Sequence, residues 1–255
     1  MDKALAAFER LLRIMDDLRE KCPWDRKQTL ESLRYLTIEE TYELSDAILE
    51  GDLHGVGNEL GDLLLHIVFY AKIGSEKGVF NISDVIEGIN KKLIHRHPHI
   101  YSDIVARDAE QVKSNWEKIK LHEGAHGVLG GVPLSLPAMV KAYRIQEKAR
   151  GVGFDWEEPH QVWDKVMEEA NELKEALEKG DEKKKEEEFG DLLFALVNYA
   201  RFIDVNPEDA LERTNKKFIK RFTFLEEQAK LKGKSLKDMT LSEMDIYWNE
   251  AKNGE

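Results

Sequence analysis

Apolar residues recur every three or four positions through most of this chain, the spacing of helices with one buried face. Leu5, Phe8, Leu11, Leu12, Met15 and Leu18 predict a helix over residues 4–20, broken by Cys22-Pro23-Trp24-Asp25. A second helix is expected over 30–50, ended by Gly51-Asp52. Gly55 and Gly57 predict a flexible turn, with Asn58 capping a helix that runs to about Ile73 and stops at Gly74. Asn81 or Ser83 opens the next, which ends near His97-Pro98, and a short helix over 110–121 carries Trp116. Residues 122–136 are rich in glycine and proline and read as a linker. The scheme then repeats. Helices are expected over 137–150, 159–179, 182–203 and 207–231, with Gly151 to Trp156 as the break and Gly180-Asp181 as the turn. No convincing alternation marks a strand, so the fold class is all-α.

Two carboxylate pairs lie inside this pattern. Glu40 and Glu43 are three residues apart, and Glu59 and Asp62 repeat the spacing. At about 100° per residue, each pair projects from one side of its helix. Leu33, Leu36, Leu44 and Ala47 share the stripe of Glu40 and Glu43, while Asp62 leads into the apolar run Leu63 to Tyr70. The acids are therefore expected to turn towards a core, where unpaired charge is costly and a cation or raised pKa values must compensate. The constellation occurs again as Glu169, Glu172, Glu188 and Asp191, each 129 positions on (169 − 40, 172 − 43, 188 − 59, 191 − 62). Gly61-Asp62-Leu63-Leu64 answers Gly190-Asp191-Leu192-Leu193, and Asn90-Lys91-Lys92 answers Asn215-Lys216-Lys217. A repeat this long is a domain duplication. It divides the chain into a helical domain at 1–121, the linker at 122–136 and a second helical domain at 137–255.

Composition narrows the function. Each half of the 255 residues can form its own core, and no apolar run reaches the roughly 18 residues of a membrane span. One cysteine, Cys22, rules out an intrachain disulfide, and no secretory signal is evident at the N-terminus. A cytoplasmic location is expected. A net charge of −12 argues against nucleic acid or an anionic membrane as partner.

Oxygen-only ligation suits a hard cation, Mg²⁺ or Mn²⁺, over zinc or copper. A di-iron bundle would need Glu-x-x-His motifs. His66 stands one turn after Asp62 but is answered by Ala195, so it is expected to be a core histidine or a neighbour of the ligands and not a ligand itself. Basic residues follow each quartet, with Lys91, Lys92, His95 and Arg96 in the first half and Lys216, Lys217, Lys220 and Arg221 in the second. Carboxylates that hold metal, followed by a basic helix, fit a phosphorylated ligand whose charge is neutralised from both sides. Trp116 and Trp248 could stack on a base, although packing is the usual role of tryptophan. Gly233-Lys234-Ser235 lacks the earlier glycine of a phosphate loop, and Gly151-Val152-Gly153 follows a helix, so neither is a nucleotide fingerprint.

With these residues in view, the chain resembles the MazG nucleoside triphosphate pyrophosphohydrolases of the all-α NTP pyrophosphatase superfamily. The resemblance rests on Cys22-Pro23-Trp24-Asp25, Gln28-Thr29, Arg96-His97-Pro98-His99, Gln146-x-Lys148-Ala149, Val152-Gly153-Phe154-Asp155-Trp156 and both acidic quartets. It implies two tandem bundles of that type and hydrolysis of an NTP to the monophosphate and pyrophosphate. It also implies Mg²⁺ held by Glu40, Glu43, Glu59 and Asp62 and by Glu169, Glu172, Glu188 and Asp191. Glu39 and Glu168 become candidates to orient or deprotonate water. Lys217, Lys220 and Arg221, with Lys92 and Arg96 in the first half, would stabilise the leaving pyrophosphate, and Lys217, Arg221 and Trp248 would contact substrate. A homodimer is implied, with broad base tolerance and a role in cleaning the nucleotide pool. A regulatory module that senses metal-NTP without turnover is the alternative.

Overall fold

The computed structural model describes residues 2–102, 108, 111–112, 115–116, 119 and 127–254. The chain divides into two compact units, residues 1–116 and 117–255. The described residues form helices and turns, with no strand among them.

The first unit contains α1 (Asp2–Lys21), α2 (Leu30–Glu50), α3 (Leu53–Glu76), α4 (Ile82–Arg96) and the single turn α5 (Pro98–Tyr101). α2 and α3 form an antiparallel hairpin against which α1 packs, burying Met15, Leu33, Val68, Phe69 and Ile73. Each such side chain contributes about 1.5–3 kcal/mol by leaving water. Thr29 caps α2, its hydroxyl accepting from the Ser32 amide, and Gly51 ends the helix in the left-handed region at φ 72°.

The turn expected at Gly55 and Gly57 is not there. Both glycines lie inside α3, which begins at Leu53 because Asp52, not Asn58, caps it by accepting from the His54 amide. Gly55 has a packing role: a Cβ there would meet Asp52 Oδ2 at 2.7 Å and Ala47 Cβ at 3.2 Å. α3 also runs past Gly74 to Glu76. Asn81 caps α4, and Pro98 starts α5, an extra turn. The helix expected over 110–121 lies largely outside the described residues, as does the first part of the 122–136 segment.

The second unit contains α6 (Ala138–Arg150), α7 (Pro159–Lys179), α8 (Glu182–Phe202), α9 (Pro207–Leu231) and α10 (Leu241–Asn253). α7 and α8 form the main hairpin, α6 lies against α8 and α9, and α10 packs on α9. The duplication is structural as well as sequential. α2 and α7 each have 21 residues and start and stop 129 positions apart (159 − 30, 179 − 50). Their left-handed C-caps, Gly51 and Gly180, keep that offset, as do Asp52 and Asp181, which cap α3 and α8. Beyond residue 231 the sequence reading stopped short of α10, although Thr240 and Glu243 form a readable capping box at its start. Leu225, Ala229, Met239 and Tyr247 form the core of the α9–α10 corner.

Candidate functional site

Each hairpin brings its acids together. Glu40 and Glu43 from α2 meet Glu59 from α3, and each offers one carboxylate oxygen within 4.8 Å of the others. Glu169 and Glu172 from α7 meet Glu188 from α8 in the same way. The short αL-capped turn causes this convergence, since it lays the two helices antiparallel and in register about two helical turns from each acidic pair. Asp62 and Asp191 belong to neither group of three. Asp62 is nevertheless near enough for its charge to act on Glu40, and Asp191 lines the adjoining cavity in the second unit.

The acids are less deeply placed than their apolar stripe suggests. Glu169 and Glu188 are buried, whereas Glu43, Asp62, Glu172 and Asp191 are exposed. Burial, then the charges of Asp62, Glu43 and Glu59, push the Glu40 carboxyl up. The Glu188 charge does most to raise Glu172. Three carboxylates this close repel one another, and a divalent cation fits them by charge and by their all-oxygen donor set.

The two sites differ in what surrounds the acids. In the second unit Lys165 Nζ lies 2.5 Å from Glu169 and 2.9 Å from Glu168, which raises its own pKa, the Glu168 hydrogen bond foremost. Lys184 Nζ lies 3.4 Å from Glu188. Sequence reasoning passed over both lysines because a glutamate four residues from a lysine on a helix is usually a surface pair. The 129-residue offset replaces them by Leu36 and Gly55 in the first unit.

A cavity of about 700 Å³ opens beside Glu169 and Asp191, with walls that include Ile145, Phe154, Trp156 and Phe194. At its margin the buried Arg201 guanidinium grips Asp155 through two hydrogen bonds, one of them 2.9 Å, and donates to Asn198 Oδ1 at 2.9 and 3.2 Å. The first unit has His66 and Phe69 where the offset places Ala195 and Asn198. Both are buried, and the Arg19 guanidinium lies 5.5 Å over the Phe69 ring. A separate cavity of about 310 Å³ in that unit is lined by Leu12, Met15 and Lys72 among others and by none of the three clustered glutamates.

Other expected residues are placed as follows. Glu39 is exposed beside the first cluster, and Glu168 is held by Lys165 beside the second. Lys92 on α4 and Lys217 and Lys220 on α9 are exposed, and no described ion pair joins Lys217 or Lys220 to the acids. Arg96 is half-buried at the end of α4. Arg221 lies 5.6 Å over the Trp248 ring, which packs on Phe218 at 5.0 Å and against the α9–α10 core instead of lining the cavity. His66 is a core histidine, as expected, edge-on to Tyr70 and outside the acidic group.

Comparison with known proteins agrees with this geometry. The model of the MazG nucleotide pyrophosphohydrolase domain matches residues 28–101 and again 157–223, spanning both hairpins. The chain is 45% identical to the nucleoside triphosphate pyrophosphohydrolase/pyrophosphatase MazG of Thermotoga maritima, over 100% of this chain and 99% of the relative. It is 41% identical to the nucleoside triphosphate pyrophosphohydrolase of Escherichia coli K12, over 97% of this chain and 98% of the relative. A Mycobacterium tuberculosis protein of the same name is 36% identical over 55% of this chain and 44% of its own length. With both hairpins matched and full-length relatives at this identity, the chain belongs to the MazG family.

Proposed function

We propose that this protein hydrolyses nucleoside triphosphates to the monophosphate and pyrophosphate, using Mg²⁺ (or Mn²⁺ in its place), and that the second unit carries the reaction. The observation that carries this reading is the convergence of Glu169, Glu172 and Glu188 beside an apolar-walled cavity, one feature suited to a metal-phosphate chain and the other to a nucleoside. The names of the full-length relatives support it.

Glu169, Glu172, Glu188 and Asp191 would hold the cation, and Glu40, Glu43, Glu59 and Asp62 would do so in the first unit. When bound, the cation supplies positive charge that offsets the phosphate oxygens and acidifies water. The chain's own residues bind and orient. Lys165, fixed between Glu168 and Glu169, presents a positive charge at the edge of the cavity. Glu168 takes the proton of the attacking water or aligns it, and Glu39 has the corresponding place in the first unit. Lys217, Lys220 and Arg221 balance charge on the departing pyrophosphate, as Lys92 and Arg96 would in the first unit. The exposed apolar residues of α3 and α8 (Leu60, Leu64 and Ile67; Leu193 and Leu196) support assembly as a homodimer. The expected setting is the cytoplasm, with broad base tolerance and a role in clearing aberrant nucleotides.

Product analysis tests the reaction. ATP should yield AMP and pyrophosphate, and release of ADP and orthophosphate would contradict the proposal. Glu172→Gln should lower turnover by about 10²-fold or more. Wild-type protein that binds Mg-ATP and yields no AMP would instead be a nucleotide sensor.

A further inference from the structure

Within the cavity beside Glu169 lies a polar group that no described residue satisfies. Gln146, on α6, is 6% exposed. Its Nε2 donates to the main-chain oxygen of Phe194 at 2.8 Å, and its Oε1 is buried without a hydrogen-bond partner among the described residues. The orientation of the amide is fixed by chemistry. A carbonyl only accepts, so the NH₂ end must face Phe194, and the end left over is an acceptor. A buried acceptor without a donor is a standing cost that an incoming N–H would remove.

The walls indicate which molecule brings that N–H. Phe154 and Trp156 are exposed at the rim, Ile145 and Phe194 add apolar surface, and Glu169 and Asp191 stand at the acidic edge. A ligand with a metal-bound phosphate chain at one end and a flat ring at the other matches this order of surfaces. We infer that Gln146 is the specificity-determining residue of the second unit: it accepts a hydrogen bond from an N–H of the nucleobase, whose ring lies between the apolar walls. This rests on the hydrolase reading and extends it to the base. An acceptor at this point admits all four standard bases, each of which has an N–H on its pairing edge. It selects against bases that have none. It also separates the two units, because His66 and Phe69 occupy the first-unit positions of Ala195 and Asn198 in this wall.

The test compares ATP with purine riboside triphosphate, in which hydrogen replaces the 6-amino group, for both turnover and calorimetric affinity in the full-length protein. The wild type should favour ATP by about 2- to 12-fold in KM and in Kd with little change in kcat, the worth of one neutral hydrogen bond. In Gln146→Met, of similar volume, the two nucleotides should come within about twofold of each other, while inorganic tripolyphosphate, which has no base, should be bound as by the wild type. Equal affinity of the wild type for the two nucleotides would overturn the inference, and so would an unchanged preference in a folded Gln146→Met. Discrimination in binding without any AMP formed would defeat the hydrolase reading and leave the role of Gln146 standing. AMP formation without discrimination would do the reverse.

Discussion

Asp155→Ala tests how the cavity is held open. Arg201 is buried, its side chain 5% exposed, and Asp155, 18% exposed, takes two of its hydrogen bonds. Asn198 accepts two more. Removing one partner of a buried ion pair costs about 3–5 kcal/mol, because the remaining charge stays desolvated. Here Asn198 keeps its contacts and Asp155 is partly open to solvent, so the expected cost is about 2–3 kcal/mol. In a urea titration followed by circular dichroism, that moves the midpoint down by about 1–1.5 M for a slope near 2 kcal/mol/M. Arg201→Met in the Asp155→Ala background removes the stranded charge and should recover part of the loss, with a coupling of about 1–3 kcal/mol in the double-mutant cycle. Asp155 also anchors the segment bearing Phe154 and Trp156, so affinity for ATP should fall while affinity for tripolyphosphate holds. A cost below about 0.5 kcal/mol, or strictly additive variants, would refute the reasoning, since neither is compatible with a buried guanidinium that depends on this carboxylate.

Two predictions concern the first unit. Gly74→Ala places a Cβ 2.6 Å from the Phe80 ring and should destabilise by about 1–3 kcal/mol, measured by the same titration; an unchanged midpoint would mean the ring moves freely. The hydrogen bond from Arg19 holds the Glu76 carboxyl below its usual value of 4.5, so its contribution is present above that pH and lost as pH falls through the folded-state pKa. Glu76→Gln should cost under about 1 kcal/mol at pH 7, as Glu76 is partly exposed, and flatten the acid-side fall in stability; an acid limb as steep as that of the wild type would count against the pair.

Much of this protein was legible in one dimension. The 129-residue offset of the two quartets announced the duplication, and the structure keeps it to the residue in the hairpin caps Gly51 and Gly180. Helix α2 and its counterpart were placed correctly because proline, glycine and side-chain caps act within a few residues of the bond they satisfy. Gly55 and Gly57 misled because glycine signals a turn locally; at Gly55 only the approach of Asp52 and Ala47 reveals that the missing Cβ serves packing inside a helix, while at Gly57 a Cβ would meet nothing. The six glutamates that cluster were likewise named from the sequence, whereas Asp62 and Asp191, named with them, stand outside the two groups.

What distinguishes the two sites was not. Lys165 and Lys184 each stand four residues from a glutamate on their own helix, a spacing that by itself marks an ordinary surface pair; only the hairpin makes Glu169 and Glu188 part of the acidic cluster. Gln146 stands 48 positions from the carbonyl that orients it, and Arg201 stands 46 from Asp155. Local composition dictates where a helix starts, which way its acids face and that it was copied. The depth of a cavity and the pairing of its polar groups come from α6, α7 and α8 packing together, because burial and hydrogen bonding depend on neighbours in space, which the order of residues along the chain does not specify.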